Sequence, residues 1–267
     1  MSISRDDDNP FAPPKAAVLE AHAVEGGEYV PDGQKVATSR GLEWFTDGWR
    51  LFTKSPGIWV LIFVIFMLLS LVLAILPLGS LVSSLLYPAM VAGVMLGCNA
   101  LEEGAPLEVG HLFAGFRKNA GNLILVGLLY LVGMLVIGFV AGITAALMIP
   151  LMISGNIKPD DLRSVLTLAP FILLVVLVVL ALMLPLIMAL WFAPALVVFH
   201  DVQPMAAMRS SFQGCLRNFM PFLLYGVVGF VLLVLAIVPL GLGLLILGPV
   251  MWGSMYAGYR DIFVRPA

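Results

Sequence analysis

Charged residues are scarce in this chain, and they are missing from its longest apolar runs. Only 11% of the 267 residues are Asp, Glu, Lys or Arg, whereas soluble domains contain about 25%. Residues 58–100 contain no Asp, Glu, Lys, Arg or His, and the other apolar runs resemble them in this respect. Ionisable side chains inside membrane spans usually mark proton relays, ion sites and substrate counter-ions. Their absence argues against an ion-coupled transporter or a pump.

Other features are also missing. The two cysteines, Cys98 and Cys215, fall near span ends that are predicted to be cytoplasmic, so no disulfide is expected. Residues 1–40 lack the apolar core segment of a signal peptide. The apolar runs do not alternate with polar residues as membrane β-strands do. Because backbone groups in lipid must bond internally, the runs are predicted to be helices.

Six such runs predict an all-α membrane protein with six transmembrane helices, at about residues 58–76, 80–101, 122–150, 167–199, 219–238 and 242–259. The fourth run is too long for one upright span, so we expect either tilt or a break near Pro185. Residues 1–40 are polar and contain four prolines, which predicts a disordered cytoplasmic tail. The membrane domain is then residues 41–263, followed by a short C-terminal tail at 264–267.

A nine-residue motif occurs twice, as LVLAILPLG at residues 71–79 and LVLAIVPLG at residues 233–241. Further on, Pro88 and Gly97 recur as Pro249 and Gly258. The middle pair of helices looks like a divergent third copy, in which Pro150 ends the first helix. The chain is therefore predicted to form three parallel helical hairpins, in units of about residues 41–101, 102–199 and 200–260.

A cytoplasmic amphipathic helix with aromatic and basic residues is predicted before each hairpin, and we call these three segments boxes. In the first box, residues 41–55, polar and aromatic side chains fall on different faces of a helix, as in helices that lie in the membrane interface. The basic and aromatic box residues are predicted to contact lipid headgroups or the interface: Trp44, Trp49, Arg50, Lys54, Arg117, Lys118, Arg209 and Arg217. Ordinary anchoring requires the same residues as recognition of anionic phospholipid, so both interpretations remain open.

The basic residues predict the orientation. Twelve of the 14 lie on one side of the predicted spans: Arg5, Lys15, Lys35, Arg40, Arg50, Lys54, Arg117, Lys118, Arg209, Arg217, Arg260 and Arg265. Only Lys158 and Arg163 lie on the other side. The positive-inside rule places the richer side, and with it both termini, in the cytoplasm.

Few residues offer catalytic chemistry. The candidates lie in the polar connections: His111, His200, Asp201, Glu102, Glu103 and Glu108. They do not show the spacing of a metal motif such as H-E-x-x-H. We therefore expect no enzyme activity, no metal, no cofactor and no nucleic-acid partner. Small residues four apart, Gly93 with Gly97 and Gly138 with Gly142, predict close helix packing within the bundle or between copies of the chain.

The boxes carry a resemblance to known proteins. WFTDGWRLFTKSPGIW (residues 44–59), HLFAGFR (111–117) and AAMRSSFQGCLRN (206–218) resemble boxes in uncharacterised six-helix bacterial inner-membrane proteins. They are more distantly similar to the membrane domain found with some glycerophosphodiester phosphodiesterases, whose activity belongs to a separate soluble domain. The resemblance implies an inner-membrane location and no catalytic residue in this chain.

Two functions follow as hypotheses. The first is a structural or regulatory module that binds membrane lipids or a partner, which the charge-free spans and the basic, aromatic boxes favour. The second is a facilitator for a small or lipidic solute without ion coupling. Its pathway would lie between the three hairpins and be lined by Ser83, Ser84, Asn99, Thr144 or Tyr130.

Overall fold

The computed structural model describes residues 27–147 and 162–265, and within them the chain is almost entirely helical. The first half forms α1 (Arg40–Lys54), α2 (Pro56–Ile75), α3 (Gly79–Glu102), a 3₁₀ helix (Val109–Phe113), α4 (Gly115–Lys118) and α5 (Ala120–Ala146). The second half forms α6 (Leu162–Trp191), α7 (Ala193–His200), α8 (Pro204–Arg217), α9 (Phe219–Ile237) and α10 (Leu244–Phe263). The predicted helix end at Pro150, and Lys158, lie outside the described residues.

Within residues 27–147 and 162–265, five helical segments are long and apolar enough to cross a membrane: Pro56–Ile75, Gly79–Glu102, Ala120–Ala146, Ala169–His200 and Phe219–Ile237. The sixth predicted span corresponds to α10. This helix falls outside the set because its mean hydropathy is lowered by polar and small residues in its second half, Gly253, Ser254, Arg260 and Asp261. The chain therefore has the fold of an all-α, multi-pass membrane protein.

The long helices have two ends that differ in character. At one end, which we call the turn end, short connections join α2 to α3 and α9 to α10. Leu78 and Leu240 occupy the same position in these connections, and both adopt positive φ, at 61° and 55°. Leucine rarely adopts this left-handed conformation. The opposite end, which we call the charged end, holds the boxes, both described chain termini and the packed core.

The core lies at the charged end and is rich in aromatic side chains. The largest side chains that are almost fully buried are Trp44, Trp59, Tyr256, Tyr259, Phe192 and Phe263. Towards the turn end, by contrast, leucine and valine side chains of α2, α5, α6 and α9 are exposed on the outer surface. This distribution fits helices whose outer faces meet lipid rather than water.

The boxes pack into the bundle, whereas the sequence predicts that they lie flat in the membrane interface. In α1, Trp44 and Leu51 are each 1% exposed. The helix crosses α10 closely because two glycines meet there: the Gly48 Cα lies 2.9 Å from the Cβ that a side chain at Gly253 would carry. The middle box also differs from the predicted amphipathic helix, since it forms the 3₁₀ helix and the one-turn α4.

The fourth predicted helix is broken at Phe192, between α6 and α7. A break was expected near Pro185, but α6 continues through that proline. Pro194, which lies in the first turn of α7, has no backbone N–H to continue the helix of α6. The buried Ser211 hydroxyl of α8 accepts a hydrogen bond from the Phe192 N–H at 2.9 Å and donates one to the Met188 carbonyl at 2.6 Å. Insertion of a side chain into a helical ladder is a known cause of such breaks.

Residues 27–39 pack across the charged end. Strands β1 (Glu28–Tyr29) and β2 (Val264–Arg265) pair antiparallel. Beyond them, the Gln34 side chain donates to the Asp261 carbonyl at 2.7 Å, and the Asn218 side chain accepts from the Val36 N–H at 2.8 Å. The sequence predicts disorder as far as residue 40, but residues 27–39 are ordered. Backbone hydrogen bonds to the end of α10 hold this segment despite its polar composition.

Candidate functional site

A chamber of about 470 Å³ lies between the long helices. Its walls come from α3, α5, α6, α7, α9 and α10, so all three predicted hairpins contribute. Aromatic and hydroxyl side chains dominate the lining, which consists of Ser83, Ser84, Tyr87, Val91, Tyr130, Ile187, Leu190, Trp191, Pro194, Tyr225, Met251, Trp252 and Met255. On α9 the lining residue is six positions from the start of the helix, roughly 9 Å along its axis. The chamber therefore lies within the spans rather than at their ends.

The polar wall of the chamber comes mainly from α3. Ser83, Tyr87 and Val91 are four residues apart, so they fall on one face of the helix. The Ser84 hydroxyl donates to the Ser80 carbonyl at 2.9 Å, a bond within the helix. Tyr130 contributes a further hydroxyl from α5.

A second cavity, of about 850 Å³, forms a crevice between α6 and α9. It is almost entirely apolar, and its lining consists of Leu184, Ile187, Met188, Trp191, Cys215, Phe219, Phe222, Leu223, Tyr225, Gly226, Val227, Gly229, Phe230, Val231, Leu233, Leu247 and Met251. Gly226 lies in its wall, and a Cβ at this position would have no atom of the described residues within 4 Å.

The crevice and the chamber adjoin. Four residues line both: Ile187, Trp191, Tyr225 and Met251. Tyr225 is held in place between them, since its hydroxyl is 2.7 Å from the Ser254 hydroxyl and its ring stacks on Phe45 at 4.5 Å. An apolar groove in the side of the bundle thus lies directly beside a more polar chamber at its centre.

Packed aromatic residues close the chamber at the charged end. Phe192 and Tyr256, which follow the lining residues Trp191 and Met255 directly in the chain, are both fully buried. The Tyr256 hydroxyl donates to the Asn99 side chain at 2.9 Å. The chamber is therefore separated from the polar surface at this end by at least one layer of packed side chains.

Trp44 does not lie on the surface with the other predicted headgroup contacts. Its indole N–H donates to the Asp261 carboxylate at 2.7 Å. Arg40 pairs with the same carboxylate and also with Asp47 at 3.1 Å. These acceptors raise the pKa of Arg40, so the guanidinium stays charged. Trp44 thus fastens α1 to the end of α10.

The other predicted headgroup contacts fall into two groups. Several have partners within the chain: Arg50 lies 3.6 Å from Asp47, Lys54 donates to a carbonyl of α3 at 2.8 Å, and Arg217 donates to a carbonyl of residues 27–39 at 2.7 Å. Lys118 lies 6.0 Å from the centre of the Phe199 ring. Four of the predicted headgroup contacts are exposed and make no hydrogen bond or ion pair with any described residue: Trp49, Arg117, Lys118 and Arg209.

The two candidate catalytic histidines contact different residues and do not share a site. His111 is in the 3₁₀ helix, where its Nδ1 lies 3.0 Å from the Glu108 backbone nitrogen. His200 stacks on Tyr29, and its Nε2 is 2.6 Å from the Tyr259 hydroxyl. In residues 27–147 and 162–265, no group of three or more His, Cys, Asp or Glu side chains is arranged to hold a metal ion.

The four predicted packing glycines divide into two pairs. A Cβ at Gly93 would lie 2.3 Å from the His111 carbonyl oxygen, and one at Gly97 would lie 2.8 Å from a methyl group of Leu107, so both glycines permit a close approach within the chain. A Cβ at Gly138 or Gly142 would have no atom of the described residues within 4 Å, so these two glycines make no close contact with the described part of the bundle.

The structure brings together only part of the predicted pathway. Ser83, Ser84 and Tyr130 line the chamber. Asn99 instead lies near the charged end, bonded to Tyr256, and the Thr144 hydroxyl donates to a carbonyl one turn earlier in α5 at 2.7 Å. The sequence did not point to the crevice, although two small residues three apart, Gly226 and Gly229, mark one of its walls.

The fold defines a multi-pass, all-helical membrane protein. A comparison with known proteins agrees with this class. Over 255 residues the chain is 29% identical to a protein of Burkholderia thailandensis named "Probable inner membrane protein", and the match covers 86% of this chain and 93% of that protein. No family model and no solved structure matches the chain. The resemblance to the phosphodiesterase-associated membrane domain has no support from these comparisons.

Proposed function

We propose that this chain is a lipid-binding protein of the bacterial inner membrane, and that the crevice between α6 and α9 receives the apolar chain of the lipid. The crevice carries this proposal, because an apolar cavity of about 850 Å³ faces the part of the bundle that lipid surrounds. Its volume lies in the range of about 300–1,000 Å³ that is typical of ligand sites. The inner-membrane name of the Burkholderia relative supports the location.

The proposal includes six spans with both termini in the cytoplasm. Counting α10 as the sixth span is supported by its course, since Leu244 lies beside the turn end and Phe263 at the charged end. The excess of basic residues on the terminal side supports the orientation. A fluorescent protein that matures only in the cytoplasm should be fluorescent when it is fused after Ala267. Activity of an exported phosphatase at the same position would contradict this orientation.

Three parallel hairpins are the second structural part of the proposal. The middle and third boxes each cross the second helix of the hairpin before them, and the first box crosses α10, the second helix of the third hairpin. Each box meets that helix at two residues four positions apart. These pairs are Ala89 and Gly93, Met188 and Phe192, and Val250 and Ser254. The same relation three times supports a closed ring of related units around the chamber.

A non-enzymatic role is also proposed. Its support is that the two best candidates for acid–base chemistry, His111 and His200, belong to different local hydrogen-bond arrangements at the charged end. Neither side chain lines the chamber or the crevice.

Native mass spectrometry with Gly226→Leu tests the lipid site. Gly226 lines the crevice, and a leucine at this position fits without a clash at its Cβ, which would meet no described atom within 4 Å. We expect the purified protein to retain co-purified lipid through gentle detergent, and the variant to lose most of it. The matched control is Gly138→Leu, which adds the same side chain at an equally open glycine that lines neither cavity. Equal retention in the two variants would overturn the proposal.

The chamber favours a second candidate function, facilitated movement of a small neutral solute. The hydroxyl groups in its wall could form hydrogen bonds with such a solute in place of water. The packed layer at Phe192 and Tyr256 would have to move for a solute to pass. Osmotic swelling of proteoliposomes in glycerol tests this function. Swelling no faster than in protein-free vesicles would exclude glycerol as a solute and leave the lipid site as the stronger proposal.

A further inference from the structure

The chamber presents hydrogen-bonding groups that the described part of the chain does not use. Ser83, Tyr87 and Tyr130 line it, and none of their hydroxyls bonds to another group in residues 27–147 and 162–265. Inside a membrane, a hydroxyl without a partner is unfavourable because hydrocarbon offers no hydrogen bonds. An occupant that accepts or donates hydrogen bonds would therefore be stabilised here.

The lining also limits the charge of that occupant. All side chains around the chamber and the crevice are uncharged. A charged group near the centre of a bilayer is unfavourable unless an opposite charge or water accompanies it. The phosphate of an anionic phospholipid would find no such partner at this depth, so it does not suit the chamber.

The two cavities lie side by side, which places hydroxyl groups next to an apolar space. Trp191 and Tyr225 line both spaces, so the polar chamber lies directly beside the apolar crevice, and a molecule that passes between these side chains would occupy both. Building on the proposed lipid site, we infer that the chamber binds the neutral hydroxyl or carbonyl end group of a lipid whose apolar chain occupies the crevice. The specificity would then come from Tyr87 and Tyr130 rather than from the basic residues of the boxes.

Photo-crosslinking with two matched probes tests this inference. The probes are a hexadecyl alcohol and the corresponding alkyl sulfonate, each with a diazirine on the carbon beside the head group and an alkyne for capture. The labelled position then reports where the head group lies. With the full chain in lipid nanodiscs, the alcohol should label peptides of α3 and α10 that line the chamber. The sulfonate should label residues near the helix ends.

The double variant Tyr87→Phe with Tyr130→Phe removes the hydroxyls and keeps the rings. Labelling of the chamber by the alcohol should fall about tenfold, as expected for the loss of one or two hydrogen bonds. Tyr29→Phe, outside both cavities in β1, is the control and should leave labelling unchanged. Equal labelling of the chamber by both probes, or no change in the double variant, would overturn the inference.

A third probe separates this inference from the proposed function. An alcohol with its diazirine at the far end of the chain should label the crevice in the wild-type chain and in the double variant. It should not label the crevice in Gly226→Leu. If crevice labelling persists in the double variant together with unchanged chamber labelling, the head-group inference fails and the lipid site stands. If Gly226→Leu changes no label, the lipid site fails as well.

Discussion

The Ser211 hydroxyl joins the two helices on either side of the break at Phe192, and its removal is predicted to destabilise the protein. Ser211 is fully buried. It accepts from the Phe192 N–H at 2.9 Å and donates to the Met188 carbonyl at 2.6 Å, two groups that would bond to each other in an unbroken helix. In Ser211→Ala both backbone groups lose this partner. The Cys215 thiol, 3.6 Å from the same carbonyl, compensates only weakly.

The expected cost follows from these two groups. A buried polar group left without its partner costs about 1–3 kcal/mol. With weak compensation at the carbonyl, the free energy of unfolding should fall by about 2–4 kcal/mol. Denaturant unfolding in detergent micelles, followed by tryptophan fluorescence, measures this change. Trp191 lies directly before the break, so its emission also reports the local structure.

Ser84→Ala is the matched control for this measurement. The Ser84 hydroxyl donates to a carbonyl of its own helix at 2.9 Å, and the carbonyl keeps a backbone donor after the change. We expect a change within about 0.5 kcal/mol for this variant. A similarly small change in Ser211→Ala would refute the reasoning. It would mean that Phe192 and Met188 re-form the helical bond and that α6 continues into α7.

Two further predictions concern a close helix contact and a buried thiol. Gly48→Ala should destabilise the protein by about 1–3 kcal/mol, because its Cβ would lie 2.4 Å from a carbonyl of α10. Gly57→Ala, where the same atom meets nothing within 4 Å, should be neutral or slightly stabilising in the same unfolding measurement, and equal costs would contradict the close contact. Burial raises the pKa of the Cys215 thiol to about 12, from an ordinary value of about 8.5. Because only the thiolate reacts, the rate of Cys215 alkylation should still be rising with pH at about pH 10. A rate that levels off near pH 9, measured by peptide mass spectrometry, would contradict the raised pKa.

The membrane helices were predictable because their sequence signal is local. An apolar run without charge must form a helix in lipid, whatever its neighbours do. The five apolar spans therefore match the prediction closely; for example, the run expected at residues 219–238 is α9, Phe219–Ile237. The first box was also predicted as a helix, and α1 covers Arg40–Lys54.

The location of the boxes was not predictable from their periodicity. An amphipathic pattern shows that one helix face is apolar, but lipid and protein satisfy that face equally well. For α1 the deciding features are Gly48 and Gly253, which are 205 positions apart in the sequence and meet only in the folded chain. The burial of Trp44 follows from the same contact.

The break at Phe192 shows a similar limit. Three prolines occur in the fourth run, Pro170, Pro185 and Pro194, and the sequence does not show which of them interrupts the helix. The structure places the break where Ser211 supplies replacement hydrogen bonds. A freed backbone group is tolerated in a membrane helix only where such a partner lies nearby.

The candidate site was predictable in its polar part alone. Ser83, Ser84 and Tyr130 are conspicuous because they are polar residues in apolar runs. The crevice has no such signal, since its walls are leucines, valines and phenylalanines like those on every other lipid-facing surface. It exists because α6 and α9 stand apart, which is a property of how the hairpins pack together.

The position of the closed layer favours a lipid site over an aqueous pathway. A pathway for water-soluble molecules needs polar access at both ends of the bundle, yet Phe192 and Tyr256, which follow chamber-lining residues in the chain, are fully buried on the side of the charged end. A lipid arrives from the side and needs no opening at either end. The crevice provides lateral access, and the chamber beside it provides the hydroxyls of Ser83, Tyr87 and Tyr130, which have no hydrogen bond to any described residue. The arrangement therefore combines an apolar approach with a polar end point, as binding of a neutral lipid requires.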